Sequence, residues 1–263
     1  MSHYIYIPIS SEDHLLVFSM DATSGQLTLN HEVKLGKSGS VVCADANQKN
    51  LYVGLRAGDS HAIASYVIDP KTGGLTSVGE VSVEGMPCYL ATDRTDRYLL
   101  AAYYSDGLVT VHAIGENGAL CEPTVDRHET EVCAHYIATD SSNRYAFVPH
   151  VASVNAIYQF QFDASTGKLT PNDSVPKLAC EAGLGPRHLA FHPNLDIVYA
   201  DNEQGSSVTV YRFDRAQGTL EVAQTVSTLP DEGFDGENSN AQLHIHPTGK
   251  AIYASNRGHD SIA

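Results

Sequence analysis

Apolar residues occur along this chain in short runs of strand length, separated by polar or glycine-containing turns. Six of the runs resemble one another and carry a tyrosine, or an apolar residue in its place, near their middle. These markers are Tyr6, Tyr52, Leu99, Ala146, Tyr199 and Tyr253. They are separated by 46, 47, 47, 53 and 54 residues. Self-similarity at a period of about 50 residues is typical of a protein built from repeated structural units.

Each repeat contains four predicted strands, which we label A to D in chain order. Strand B carries the marker, and strand C follows it, as in AIASYVID (62–69). A glycine in the next turn, as in DPKTGG (69–74), supplies the positive φ angle that such hairpins need. Strand A of the next repeat is short, as in QLHIHP (242–247). Helices do not alternate with these strands, so the pattern predicts an all-β propeller with four-stranded antiparallel blades.

The repeats predict a single β-propeller domain over residues 1–263, with about five to five and a half blades. The chain opens on a strand B, and its last repeat stops at Ala263 shortly after another strand B. An open ring would expose apolar sheet edges. We therefore expect the natural protein to continue beyond Ala263.

Composition narrows the class of partner. Hydrophobic residues make up 42% of the chain, which is enough for a folded core. The formal net charge of −15 argues against binding to nucleic acid or to an anionic membrane surface. An acidic protein can still contain a basic pocket, so an anionic small molecule remains a possible ligand.

The N-terminal sequence and the cysteines indicate a cytoplasmic protein. MSHYIYIPIS has no basic segment followed by a long apolar one, and no apolar run reaches the roughly 20 residues of a membrane span. The five cysteines include no CxxC pair, and an odd number favours buried free thiols in a reducing compartment.

Large polar residues recur at two positions of the repeat. Strand B returns to the face from which strand A starts, so the end of B and the start of A should meet at one mouth of the channel. His135 and His188 precede their turns by the same count, and Arg187 comes directly before His188. The position four residues after each marker is occupied by Ser10, Arg56, Tyr103, His150, Glu203 and Arg257.

We expect His135, Arg187, His188, Glu203 and Arg257 to form the centre of a site at this mouth. Arg56, Tyr103 and His150 are expected to surround them and, together with His188, to bind the substrate. Arginine binds carboxylate or phosphate bidentately, which points to an anionic ligand. Histidine and glutamate are the usual proton carriers in catalysis.

Two other interpretations of these residues stay open. Arg187 and Glu203 could form a purely structural salt bridge. His244 and His246 lie on one face of a strand and could bind a metal, but no nearby residue completes a ligand set. His192 and His246 each precede a proline at the far end of strand A, so we predict them to be turn residues. We expect neither a metal nor another cofactor.

The chain resembles the bacterial propeller-type 6-phosphogluconolactonases, a lactonase family that also includes fungal carboxymuconate-lactonizing enzymes. The resemblance covers nearly all 263 residues. Its most specific segments are LYVGLR, VCAHYIATDSSNRY, GPRHLAFHPN with the following NE, and HIHPTGKAIYASNRG. The resemblance implies a seven-bladed propeller in the full-length family. It also implies that His135, Arg187, Glu203 and Arg257 form the catalytic set.

The expected function is therefore hydrolysis of 6-phosphogluconolactone, an anionic sugar lactone, by a carboxylic-ester hydrolase of the pentose phosphate pathway. No GxSxG nucleophile elbow is present, so we expect direct attack by water. His135 or Glu203 would act as general base and the other as acid, while the arginines hold the phosphate or the oxyanion. The alternatives are a related enzyme acting on another sugar or carboxylated lactone, and a non-catalytic ligand-binding propeller.

Overall fold

The computed structural model describes residues 3–263, and this part of the chain consists of strands and turns. None of its elements is a helix that could cross a membrane. The chain divides into two compact units. The first extends to Ser105 and includes Val109–Arg127, and the second consists of Asp106–Leu108 and His128–Ala263.

The first unit contains three antiparallel sheets, in which chain neighbours are also sheet neighbours. One sheet has three strands, β1 (His3–Ile9), β2 (His14–Met20) and β3 (Leu27–Lys34). The second has four, β4 (Ser38–Ala44), β5 (Asn50–Ala57), β6 (Ser60–Ile68) and β7 (Leu75–Val83). The third also has four, β8 (Pro87–Thr92), β9 (Tyr98–Tyr103), β10 (Leu108–Ala113) and β11 (Asp126–Glu129).

The second unit contains three further antiparallel sheets, the first of which has a fifth strand that pairs with its third strand rather than with its chain neighbour. The first comprises β12 (Ala138–Thr139), β13 (Tyr145–His150), β14 (Ala156–Asp163), β15 (Lys168–Pro171) and β16 (Lys177–Ala179). The next comprises β17 (Pro186–Phe191), β18 (Ile197–Asn202), β19 (Ser207–Asp214) and β20 (Thr219–Ser227). The last comprises β21 (Ser239–Ile245), β22 (Ile252–Arg257) and β23 (Ser261–Ile262).

The four-stranded meander predicted from the repeats is confirmed, but the predicted number of blades is wrong. The described residues form six sheets, not five to five and a half blades. The strands at the two ends of the chain explain the difference. Strands β1 to β3 form a sheet without a strand A, and β21 to β23 form another with a short third strand.

The expectation about the cysteines is also only partly met. Within residues 3–263 none of the five cysteines forms a disulfide, but only Cys133 is buried. Cys121 is exposed, and the other three are partly buried.

The turn between strands A and B is built in the same way in successive repeats. Asp45, Asp93 and Asp140 accept hydrogen bonds from main-chain N–H groups four and five residues later. His192 and His246 occupy the corresponding position. The main-chain N–H of each donates to the carbonyl oxygen five residues later, and the N–H of Asp140 does the same. Their Nδ1 atoms accept N–H groups of the turn. Both are turn residues, as the sequence predicted.

These turns fix the equivalent positions and correct the sequence alignment by one residue. With Asp140 equivalent to His192, His135 corresponds to Arg187 rather than to His188. By the same count, His150 corresponds to Asn202, the residue before Glu203. A shift of one residue in a strand moves a side chain to the opposite face of the sheet. The residues four positions after the markers are therefore not structurally equivalent in all repeats.

A β-bulge lies at the start of four A strands in the described part of the chain, β4, β8, β17 and β21. In β17, Pro186 pairs with Asn202 and Leu189 pairs with Ala200, so Arg187 and His188 together oppose Asp201. Strands β4 and β21 show the same register shift, opposite Gly54 and Ser255. A bulge places two residues against one and redirects their side chains. It brings both Arg187 and His188 to the end of this sheet.

Candidate active site

Arg187, Glu203 and Arg257 form an ion cluster at the ends of β17, β18 and β22. Arg187 donates from Nε to Oε2 of Glu203 at 2.7 Å, and the Nη2 atom of Arg257 lies 3.3 Å from the same oxygen. Arg187 and Glu203 are largely buried, with side chains 14% and 20% exposed, whereas Arg257 is 51% exposed. One carboxylate is thus held between a buried guanidinium and an accessible one.

Two histidine rings adjoin this cluster. The rings of His135 and His188 lie 5.2 Å apart in an edge-to-face arrangement, and Tyr136 packs on His188 at 5.8 Å. The Nη1 atom of Arg187 lies 3.4 Å from both ring nitrogens of His188, so the guanidinium lies over the imidazole face. The structure therefore brings together all five residues predicted for the centre of the site.

Both histidines are held in the neutral form. Burial lowers the pKa of His135 to about 4, and the nearby positive charges of Arg187 and Arg257 act in the same direction. Burial lowers the pKa of His188 to about 2, again with help from Arg187. A neutral imidazole at physiological pH can accept a proton, as a general base must.

Asp201 is a site residue that the sequence analysis missed. Its side chain is fully buried, and its Oδ1 accepts the main-chain N–H of His188 at 2.7 Å. Burial raises the pKa of Asp201 to about 6, while the charge of Arg187 opposes that shift. An acid in the apolar run IVYADN was the available signal, because a carboxyl group in a buried strand needs a partner.

The loop before β17 fixes the position of Glu203. The carbonyl of Gly185 accepts the N–H of Glu203 at 2.7 Å, and Asn155 accepts the N–H of Gly185 at 2.7 Å. Gly185 has a φ of 68°, a conformation that glycine adopts without strain. Gln204 donates to Oε1 of Glu203 at 3.2 Å. A hydrogen-bonded loop therefore positions Glu203.

A cavity of about 470 Å³ borders Arg257 and Gln204. Glu237, Asn238 and Ser239 complete its lining, whereas His135 and Arg187 do not contribute to it. Ring hydroxyl groups or an anionic substituent could occupy such a polar space. Arg257 connects it to the ion cluster.

His150 faces a different cluster from the one around Glu203. Its Nδ1 lies 3.0 Å from the carbonyl oxygen of Val132, and its ring packs on Tyr158 at 4.8 Å. Tyr158 and Lys177 both donate to Glu131 there. Burial lowers the pKa of His150 to about 4.

Arg56 and Tyr103 belong to the first unit. Arg56 is exposed near the end of β5, between Ser38 and His61 in the sheet register. Tyr103 is fully buried, and its hydroxyl lies 3.0 Å from that of Thr110, which lies 2.9 Å from Nε2 of His112. These three residues line a cavity of about 280 Å³ in the first unit. A role for Arg56, Tyr103 and His150 in substrate binding stays a prediction.

We expect the free energy of unfolding to fall on acidification from about pH 6.5 to 4. In the folded protein His112, His135 and His150 have pKa values of about 4, and that of His188 is about 2. Unfolded histidine titrates near pH 6.5, so the unfolded state binds more protons in this range. Asp201 has the opposite effect below about pH 6, but it is one group against four.

Urea unfolding at several pH values between 7.5 and 4.5 measures this dependence. His112→Gln should show a smaller loss of stability, because it removes one of the four histidines. Constant or rising stability between pH 6.5 and 4.5 would contradict the burial of neutral histidines.

Residues 3–263 contain no group of three or more His, Cys, Asp or Glu side chains arranged to hold a metal ion. His244 and His246, the two histidines considered for a metal, contact polar side chains instead. Nε2 of His244 lies 3.3 Å from the side-chain nitrogen of Gln242, and Nδ1 of His246 lies 2.8 Å from Oγ1 of Thr248.

Comparison with known proteins agrees with this architecture. A 6-phosphogluconolactonase from Pectobacterium carotovorum subsp. carotovorum (strain PC1) is 35% identical over 257 residues, covering 98% of this chain and 75% of that protein. A second, from Pectobacterium atrosepticum, is 33% identical with the same coverage. The periplasmic gluconolactonase PpgL of Pseudomonas aeruginosa superposes with a TM-score of 0.88 at 21% identity, over 98% of this chain and 77% of that one. A Lactobacillus plantarum protein superposes with a TM-score of 0.87 at 23% identity, over all of this chain and 78% of that one.

The family assignment rests on a match to nearly the whole chain. The family model described as "Lactonase, 7-bladed beta-propeller" matches residues 4–263. The repeated antiparallel sheets and the similar fold of the two solved structures agree with it. This chain belongs to the lactonase family of seven-bladed β-propellers.

Proposed function

We propose that this protein hydrolyses 6-phosphogluconolactone to 6-phosphogluconate, a step of the pentose phosphate pathway. The observation that carries the proposal is a neutral histidine, His135, beside two arginines that share Glu203. Two relatives named 6-phosphogluconolactonase match 98% of the chain at 35% and 33% identity, which supports the proposal.

His135 is the general base in the proposed reaction. Its imidazole takes a proton from a water molecule while the water oxygen attacks the lactone carbonyl carbon. The tetrahedral intermediate then breaks its bond to the ring oxygen, and the imidazolium returns the proton to that oxygen. The products are a free carboxylic acid and a hydroxyl group, and His135 is regenerated as the neutral base. One positioned base contributes about 10²–10⁴-fold in rate.

The two arginines have different surroundings, which suggests different roles. Arg257 is half-exposed and borders the cavity of about 470 Å³, so we assign it to the phosphate of the substrate. Arg187 is buried against Glu203 and lies close to His188, so we assign it to the developing negative charge on the carbonyl oxygen. A donor in this role is worth on the order of 3 kcal/mol. Glu203 keeps both guanidinium groups in place.

A lactonase for an unphosphorylated sugar lactone is the second candidate. The charge of the site favours it, because Asp201 and Glu203 together balance the two arginines. The similar fold of a protein named gluconolactonase agrees with this candidate but shows the fold alone.

Steady-state kinetics on 6-phosphogluconolactone and on glucono-δ-lactone separates the candidates. The main proposal predicts a higher kcat/KM for the phosphorylated lactone, with an Arg257→Ala variant losing that preference through KM. A higher kcat/KM for the plain lactone would transfer the assignment to the second candidate. Rates equal to spontaneous hydrolysis on both would instead indicate a non-catalytic propeller.

A further inference from the structure

We propose that Asp201 is a specificity-determining residue that cancels one of the two arginine charges and thereby weakens the binding of multiply charged anions. The inference rests on the proposed role of Arg187 and Arg257 in binding an anion. It adds a residue that sets how much negative charge the site accepts.

The position of Asp201 supports an electrostatic role. Arg187 interacts electrostatically with Asp201 and with Glu203, so two carboxylates act on one buried guanidinium. Asp201 is fully buried, and its Oδ2 has no hydrogen-bond partner among residues 3–263. Its charge is therefore little screened by water, and buried charges interact more strongly than exposed ones.

A count of formal charges shows the consequence. Arg187 and Arg257 contribute two positive charges, and Glu203 and Asp201 contribute two negative ones. His135 and His188 are neutral. The cluster thus has no net charge when Asp201 is ionised, whereas a phosphorylated ligand carries about two negative charges at neutral pH.

The next repeat shows that the bulge does not require a carboxylate at this position. Ser255 opposes the corresponding bulge in β21, and its Oγ accepts the main-chain N–H of Gln242 at 3.0 Å. Asp201 accepts the main-chain N–H of His188 in the same way. A neutral acceptor is enough for the fold, so the negative charge of Asp201 is left for another role.

The test uses two neutral replacements that keep an acceptor for the His188 amide. Asp201→Asn is nearly isosteric, and Asp201→Ser copies the hydroxyl of the next repeat. Asp196→Asn is the matched control, because it removes one negative charge from an exposed ion pair with Arg215, and both residues lie in turns next to the same sheet. Calorimetry at pH 8 and constant ionic strength measures the binding of 6-phosphogluconate and of inorganic phosphate.

Both Asp201 variants should bind the two phosphates on the order of tenfold more tightly than the unaltered protein. The control should bind them with unchanged affinity. Unchanged or weaker binding in both Asp201 variants would overturn the inference, as would an equal gain in Asp196→Asn. Absence of phosphate binding in every protein would overturn it as well.

Phosphate affinity and lactone hydrolysis test the role of Asp201 and the proposed function separately. If the Asp201 variants bind phosphates more tightly but the unaltered protein hydrolyses no lactone, the anion site stands and the proposed enzyme activity fails. If lactone is hydrolysed but the affinities do not change, only the role of Asp201 fails.

Discussion

Replacing His135 with alanine should lower kcat for lactone hydrolysis by about 10²–10⁴-fold, the range typical of a lost general base. The imidazole has a pKa of about 4 because it is buried, so nearly all of it is neutral at pH 7. The variant leaves Arg187, Glu203 and Arg257 in place. KM should therefore change much less than kcat, and steady-state kinetics at pH 7 measures both.

His244→Ala is a suitable control for this experiment. It removes an exposed histidine on β21 and should leave kcat within about twofold, as expected for a surface substitution. A His135→Ala variant that is folded and retains more than a tenth of the activity would exclude His135 as the base. Glu203 would then be the remaining candidate.

The second large effect is expected for Arg187→Ala, which should both unfold more easily and lose activity. Its removal leaves the largely buried carboxylate of Glu203, and the fully buried one of Asp201, without their nearest guanidinium. Breaking a buried ion pair in this way costs about 3 kcal/mol of stability. If Arg187 has the proposed role at the oxyanion, kcat should fall as well. Urea unfolding and kinetics are measured on the same preparation.

Arg257→Ala is the matched comparison, because Arg257 contacts the same carboxylate but is half-exposed. Exposed ion pairs contribute about 0–1 kcal/mol, so its stability should hardly change. Its effect should appear in KM for the phosphorylated lactone. Equal losses of stability in the two variants would show that the difference in burial has no energetic consequence.

The sequence predicted the centre of the site because the meander constrains it strongly. Arg187 and His188 start one strand and Glu203 follows the next, so antiparallel pairing must bring them together. Arg257 has the corresponding position in the last sheet. No knowledge of side-chain direction is needed for this step.

The remaining residues depend on details that the repeat pattern leaves out. The sequence aligned His150 and Tyr103 with Glu203, but the turns make them equivalent to Asn202, one residue earlier. Because the side-chain period of a strand is two residues, their side chains belong to the other face of the sheet. Asp201 acts opposite a bulge, and a bulge is an insertion that short apolar runs do not reveal. The blade count was wrong because an incomplete repeat can still form a sheet.

The most direct test of the central claim is the initial rate of 6-phosphogluconate formation at pH 7, coupled to its oxidation by a dehydrogenase. The unaltered protein and His135→Ala are assayed with fresh 6-phosphogluconolactone, and the spontaneous rate is subtracted. We predict a clear enzymatic rate for the unaltered protein and a loss of at least a hundredfold in a folded His135→Ala variant. A rate indistinguishable from spontaneous hydrolysis in the unaltered protein would contradict the proposed function.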